Sequence, residues 1–134
     1  MAFVVDASVT ISWLLPDEDY PDAREAWRRS ETEDVFVPRH WWFEVRNTML
    51  VAERRGRMAR AEMRAALERL SILPITALDQ FEDEPIFDLA RYHKLSFYDA
   101  AYLELAKTRR IPLATFDHAL IKAAKSDNVS LVGN

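Results

Sequence analysis

Phe3-Val4-Val5-Asp6, near the start of the chain, reads as a short apolar run that ends on a carboxylate. Consecutive apolar residues without alternation suit a strand buried on both faces, as in a parallel sheet. Similar runs recur at Val35-Phe36-Val37 before Pro38, around Ile72-Leu73-Pro74-Ile75, from Ile111 to Thr115 and from Val129 to Val132. Between them the apolar residues follow the helical period. Helices are expected through Val9, Ile11 and Leu14 up to Pro16, from Tyr20 to Arg29, from about Arg39 to Arg55 with Gly56 as the stop, and from Ala59 to Leu70. Three more are expected: one opened by Pro85, one from Ser96 through Lys107, and one from His118 to Lys125. Strands alternating with helices predict an α/β fold, a central and mostly parallel sheet of four to five short strands flanked by helices.

The 134 residues suit one domain, 1–134, without internal repeats. The chain has no cysteine, which excludes disulfides, thiolate zinc sites and cysteine nucleophiles and fits a reducing cytoplasm. Neither a signal peptide nor an apolar run long enough for a membrane helix is expected. A net charge of −4 argues against a nonspecific nucleic-acid coat protein but does not exclude a nuclease, because carboxylates facing a divalent ion change the local potential. With two glycines, a Gly-rich phosphate cradle is absent.

Four carboxylates stand against apolar sequence. Asp6 ends the first run, Glu44 follows His40-Trp41-Trp42-Phe43, Asp99 sits in Tyr98-Asp99-Ala100-Ala101-Tyr102-Leu103, and Asp117 closes Leu113-Ala114-Thr115-Phe116. A buried carboxylate without a cationic partner is costly. No Lys or Arg adjoins Asp6 or Asp117 in sequence, so a divalent metal held jointly by several of the four is the economical explanation. In an open α/β sheet ligands bind beyond the carboxyl ends of the strands, and Asp6 and Asp117 both fall there.

Each residue also has a purely structural reading. A strand-end Asp commonly caps the next helix. Ser96-Phe97-Tyr98-Asp99 matches a capping box, although Asp99 also shares the buried stripe of Tyr102, Leu103 and Ala106. Glu44 falls on one helical stripe with Trp41, Asn47, Thr48 and Val51, and Asn47 could orient it. Trp42, Val45, Met49 and Ala52 form a second, apolar stripe. Ser8 and Thr115, each two residues from an acid, could hold a carboxylate or a metal-bound water. The three histidines lack ligand spacing, and only His118, next to Asp117, draws attention. Six arginines and three glutamates between Glu53 and Arg69 read as a solvated helical face, or as a flank contacting phosphates.

Taken together these motifs resemble the PIN-domain ribonucleases. Val4-Val5-Asp6-Ala7-Ser8 is similar to their opening, Trp42-Phe43-Glu44-Val45-Arg46-Asn47 to their second acidic motif, Leu95 through Ala106 to the third, and Leu113 to Asp117 to the fourth. In length and motif order the chain resembles the VapC toxins of prokaryotic toxin–antitoxin pairs. The resemblance implies a PIN-like fold and a Mg²⁺- or Mn²⁺-dependent endoribonuclease. It implies that Asp6, Glu44, Asp99 and Asp117 form the catalytic, metal-holding cluster, supported by Ser8, Asn47 and Thr115. It also implies a homodimer held inactive by a VapB-type antitoxin. Phe116 is bulkier than the pattern's usual residue, and the acidic stretch from Asp79 to Glu84 is atypical. Rival readings are a phosphatase with Asp6 as covalent nucleophile, for which Ser8 stands where a second Asp is needed, and a module whose acidic pocket only binds a partner.

Overall fold

β1 (Ala2–Val5) is an interior strand of a four-stranded parallel sheet, and its Phe3, Val4 and Val5 are completely covered. A computed structural model describes residues 1–15 and 17–133. The other strands are β2 (Asp34–Pro38), β3 (Ile75–Leu78) and β4 (Leu113–Ala114), in the spatial order β3-β2-β1-β4. Every pairing is parallel, with Val4 opposite Phe36 on one side and Leu113 on the other. The expected α/β architecture is therefore present.

Seven helices are found among the described residues: α1 (Ala7–Leu14), α2 (Pro21–Ser30), α3 (Trp41–Arg54), α4 (Arg60–Ser71), α5 (Asp83–His93), α6 (Phe97–Arg109) and α7 (His118–Ser126). α6 packs on β1, β2 and β4 and buries Ala100, Ala101, Tyr102, Leu103, Leu105 and Ala106. α1 packs against α2 and α3. Phe3, Val4, Val5, Val35, Val37, Leu103 and Leu113 belong to one contiguous hydrophobic core. No described helix is long and apolar enough to cross a membrane.

Four expectations shift. The third strand begins at Ile75, because α4 continues to Ser71, Ile72 caps it, and Pro74 has no N–H to give a ladder; its carbonyl instead accepts from Val35 N at 3.2 Å. The last expected strand shortens to one parallel bridge, Leu113 to Leu131, with bonds from Leu113 N to Ser130 O and from Val132 N to Leu113 O. α5 starts at Asp83 rather than Pro85, since a proline within the first helical turn loses no intrahelical bond. Trp42 leaves the apolar stripe: Trp41, Val45, Met49 and Ala52 are buried, while Trp42 is 48% exposed with Arg46 stacked 4.0 Å above its ring. The expected helix stop at Pro16 lies outside the described residues.

Strand order decides where a site can form. The chain steps from β1 outward to β2 and β3, then returns to place β4 on the opposite side of β1. A crevice opens beyond the carboxyl ends of two parallel strands where the order reverses in this way, here β1 and β4.

Candidate active site

Asp6 follows β1 directly and caps α1. Its Oδ1 accepts from Val9 N at 3.0 Å and from Ser8 Oγ at 2.6 Å, and its Oδ2 accepts from Thr115 Oγ1. Only 5% of the residue is exposed. Asp117 follows β4 and caps α7, accepting from Leu120 N at 2.9 Å. The capping role of these acids does not exclude a functional one, because both strands feed helices that leave the same edge of the sheet.

Ser8 and Thr115 join the two strand ends. Thr115 Oγ1 donates to Asp6 and accepts from Asp117 N at 3.0 Å, while Ser8 Oγ donates to Asp6 and accepts from Phe116 N at 3.0 Å. Two hydroxyls thus hold the Asp6 carboxylate by both oxygens and tie it to the backbone beside Asp117.

Asp99 occupies the first turn of α6, and its N–H donates to Ser96 Oγ at 3.1 Å. Its side chain is half-buried. Burial raises its carboxyl above the usual range, and the charges of Asp117 and Glu44 push it further the same way. Glu44 sits in the first turn of α3, which is anchored to α1 by Trp41 Nε1 donating to Thr10 Oγ1 at 2.9 Å. Thr10 in turn donates to the Asp6 carbonyl at 2.8 Å. The structure thus brings Asp6, Glu44, Asp99 and Asp117 within one electrostatic neighbourhood.

Asn47 is exposed and makes no hydrogen bond to Glu44 among the described residues. The orienting contact comes from Tyr102, whose hydroxyl donates to Glu44 Oε1 at 2.7 Å from a side chain that is 1% exposed. Burial, the bond to Glu44 and three nearby carboxylates keep that phenol protonated. His40 joins from the other side, with Nε2 3.4 Å from Glu44 Oε1 and donating to the Tyr98 carbonyl at 3.1 Å. Burial lowers its pKa, opposed by Glu44. Neither Tyr102 nor His40 stands out in the sequence as a site residue, although Asp99 and Tyr102 share one stripe of α6, which sets an acid and a donor on one helical face.

Among the described residues no Lys or Arg pairs with any of the four acids. Helix N-termini take part of that role: each acid caps a helix or lies in its first turn, where the dipole favours negative charge. They do not suffice for Asp6. Its pKa is raised from 3.8 to about 6 by burial, opposed by the bonds from Ser8, Thr115 and Val9, with Asp99 adding repulsion.

The donor set is one of hard carboxylate oxygens, which fits Mg²⁺ or Mn²⁺ better than zinc. No three His, Asp or Glu side chains among the described residues are drawn into one tight coordination shell. Mg²⁺ keeps several of its waters and uses one or two carboxylates directly, so a loosely gathered acid group still matches it.

A family model of the PIN domain matches residues 3–126. Among solved structures the chain is similar to PAE2754 from Pyrobaculum aerophilum, with a TM-score of 0.70 and 23% identity over 92% of this chain and 87% of that one. At that identity the likeness speaks for the fold alone. No curated protein matches the chain significantly. PIN domains are generally metal-dependent nucleases. Motifs, sheet order and family match agree: the chain belongs to the PIN-domain family.

Proposed function

We propose that this protein is a Mg²⁺- or Mn²⁺-dependent endoribonuclease that hydrolyses RNA phosphodiester bonds, with residues 1–134 acting as a single PIN domain. The observation that carries the proposal is the gathering of four carboxylates at the switch point with no Lys or Arg partner among the described residues. Asp6, Glu44, Asp99 and Asp117 would hold the ion. When bound, it supplies an acidified water and neutralises charge on the phosphate. Ser8 and Thr115 keep the Asp6 carboxylate ionised and aimed, against the penalty of its burial. Tyr102 fixes Glu44 by its hydroxyl, with His40 beside it. No side chain need act as nucleophile.

The finer reading is a VapC-type toxin: a cytoplasmic homodimer restrained by a VapB-type antitoxin protein. Its support is the order and spacing of the four acidic motifs. Cleavage-site mapping on total RNA with Mn²⁺, with chelator and Asp6→Asn controls, tests the nuclease. Defined, chelator-sensitive cuts support it. Absence of both RNA cleavage and Mn²⁺ affinity would favour a module that only binds a partner. A short upstream reading frame encoding a small basic DNA-binding protein would support the toxin assignment.

Tyr102→Phe isolates one contact, because it removes a single oxygen and keeps the packing of the ring. Groups that orient metal-holding side chains typically change affinity or activity by 10–100-fold, and a loss of about 10-fold in Mn²⁺ affinity is expected here. Calorimetric titration reads it directly, with circular dichroism as the control for folding. An unchanged affinity would remove Tyr102 from the site.

A further inference from the structure

A cleft of about 610 Å³ opens next to the acid cluster, walled in part by Ser8, Glu18, Tyr20, Arg57 and Phe116. It is continuous with the site: Ser8 bonds to Asp6, and Phe116 immediately precedes Asp117. Tyr20 is 47% exposed and meets Phe116 edge to face, with ring centroids 5.2 Å apart at 64°. Also lining the cleft, Arg57 Nη2 donates to Glu18 Oε2 at 2.7 Å and approaches both Asp17 carboxylate oxygens at 3.4 Å.

The chemistry of these walls selects an occupant. The rings are set at 64° to each other, so Tyr20, the more exposed of the two, offers the flat apolar face and Phe116 supports it. The bonds from Arg57 all leave one nitrogen, whereas a guanidinium carries five N–H donors and a carboxylate has about four acceptor positions. The pair therefore presents both a donor and an acceptor to anything in the cleft. With two acids on one arginine, this wall does not attract a phosphate. A neutral, planar group with donors and acceptors along its edge matches it, and a nucleobase is such a group.

Resting on the nuclease reading, we infer that this cleft holds the nucleobase next to the scissile phosphodiester. The base's face lies against Tyr20, Phe116 closes the cleft beside that ring, and the base's edge meets Arg57 and Glu18. A base in this position is unstacked from its neighbours, and the enzyme discriminates at one position beside the cut.

The test uses the full chain and a single-stranded RNA library randomised around the cut, with Mn²⁺, comparing wild type, Tyr20→Ala and Tyr20→Phe. Stacking of one base on one aromatic ring predicts that Tyr20→Ala raises KM about 10- to 100-fold, more than it lowers kcat, and flattens the base preference at one position. Tyr20→Phe, which keeps the ring, restores both. Glu18→Gln keeps the cleft's shape and shifts the preference at the same position. KM and base profile unchanged in both Tyr20→Ala and Glu18→Gln overturn the inference.

A second measurement separates this failure from failure of the nuclease reading. Fluorescence anisotropy follows a labelled pentaribonucleotide binding in Ca²⁺. If wild type cuts no RNA, the nuclease reading falls, and the anisotropy still judges the cleft. Weaker binding by Tyr20→Ala sustains it, and equal binding overturns it.

Discussion

Asp99→Asn is expected to lower Mn²⁺-dependent RNA cleavage by about 10³-fold while the protein becomes no less stable. The substitution is nearly isosteric. It keeps the backbone N–H bond to Ser96 Oγ that caps the helix, and the Ser96 side-chain bond to the carboxyl is a smaller influence than burial and the repulsion from Asp117 and Glu44. What it removes is a half-buried negative charge repelled by Asp117 and Glu44. An acid kept only for structure would cost stability when neutralised, whereas one kept to hold a cation relieves repulsion when neutralised and abolishes the chemistry. Thermal melting beside a single-turnover cleavage assay separates these cases. Activity within tenfold of wild type, in protein free of contaminating ribonuclease, would remove Asp99 from the mechanism.

For Asp6 the expected result concerns stability, pH and metal together. Its folded-state pKa of about 6 lies above the ordinary aspartate value of 3.8, so the native state binds the proton more tightly than the unfolded chain does. The associated stabilisation is complete below about pH 4 and is lost as pH rises through about 6. The difference amounts to about 3 kcal/mol in the metal-free protein at neutral pH. Wild type should therefore lose that much relative to Asp6→Asn between pH 4 and pH 7.5, measured by denaturant titration in chelator. The comparison with the variant cancels the other acids, which titrate in both proteins.

Mn²⁺ should reverse much of this loss. It binds the ionised carboxylate, so its effect grows as Asp6 loses its proton. A rise in melting temperature of roughly 5–10 °C at pH 7.5, shrinking towards pH 5, is expected for wild type but not for Asp6→Asn. Equal Mn²⁺ shifts for the two proteins would mean that the ion binds elsewhere.

The sequence reading placed most elements correctly, because their signals are local. Phe3-Val4-Val5 is uninterrupted and apolar, and β1 is interior and covered. Ser96 caps α6 and Asp99 lies in its first turn, as their spacing requires. The displaced elements lie where local and tertiary preferences compete. Ile72 is apolar enough for a strand, yet it terminates α4 and stands 82% exposed. Trp42 is apolar enough for the core, yet it lies about 100° around α3 from Trp41, and Arg46 covers it instead.

Residue chemistry, strand and helix periods, and the four acids at element boundaries were determined by the sequence itself, since each depends on neighbours within a few positions. The meeting of those acids depends on β4 returning to the far side of β1. That is a long-range packing outcome without a local signature. So are the contacts that hold the carboxylates in place. Thr115 reaches Asp6 across 109 positions of chain and Tyr102 reaches Glu44 across 58, and a periodicity confined to one helix or strand carries no information about which partner lies across the crevice.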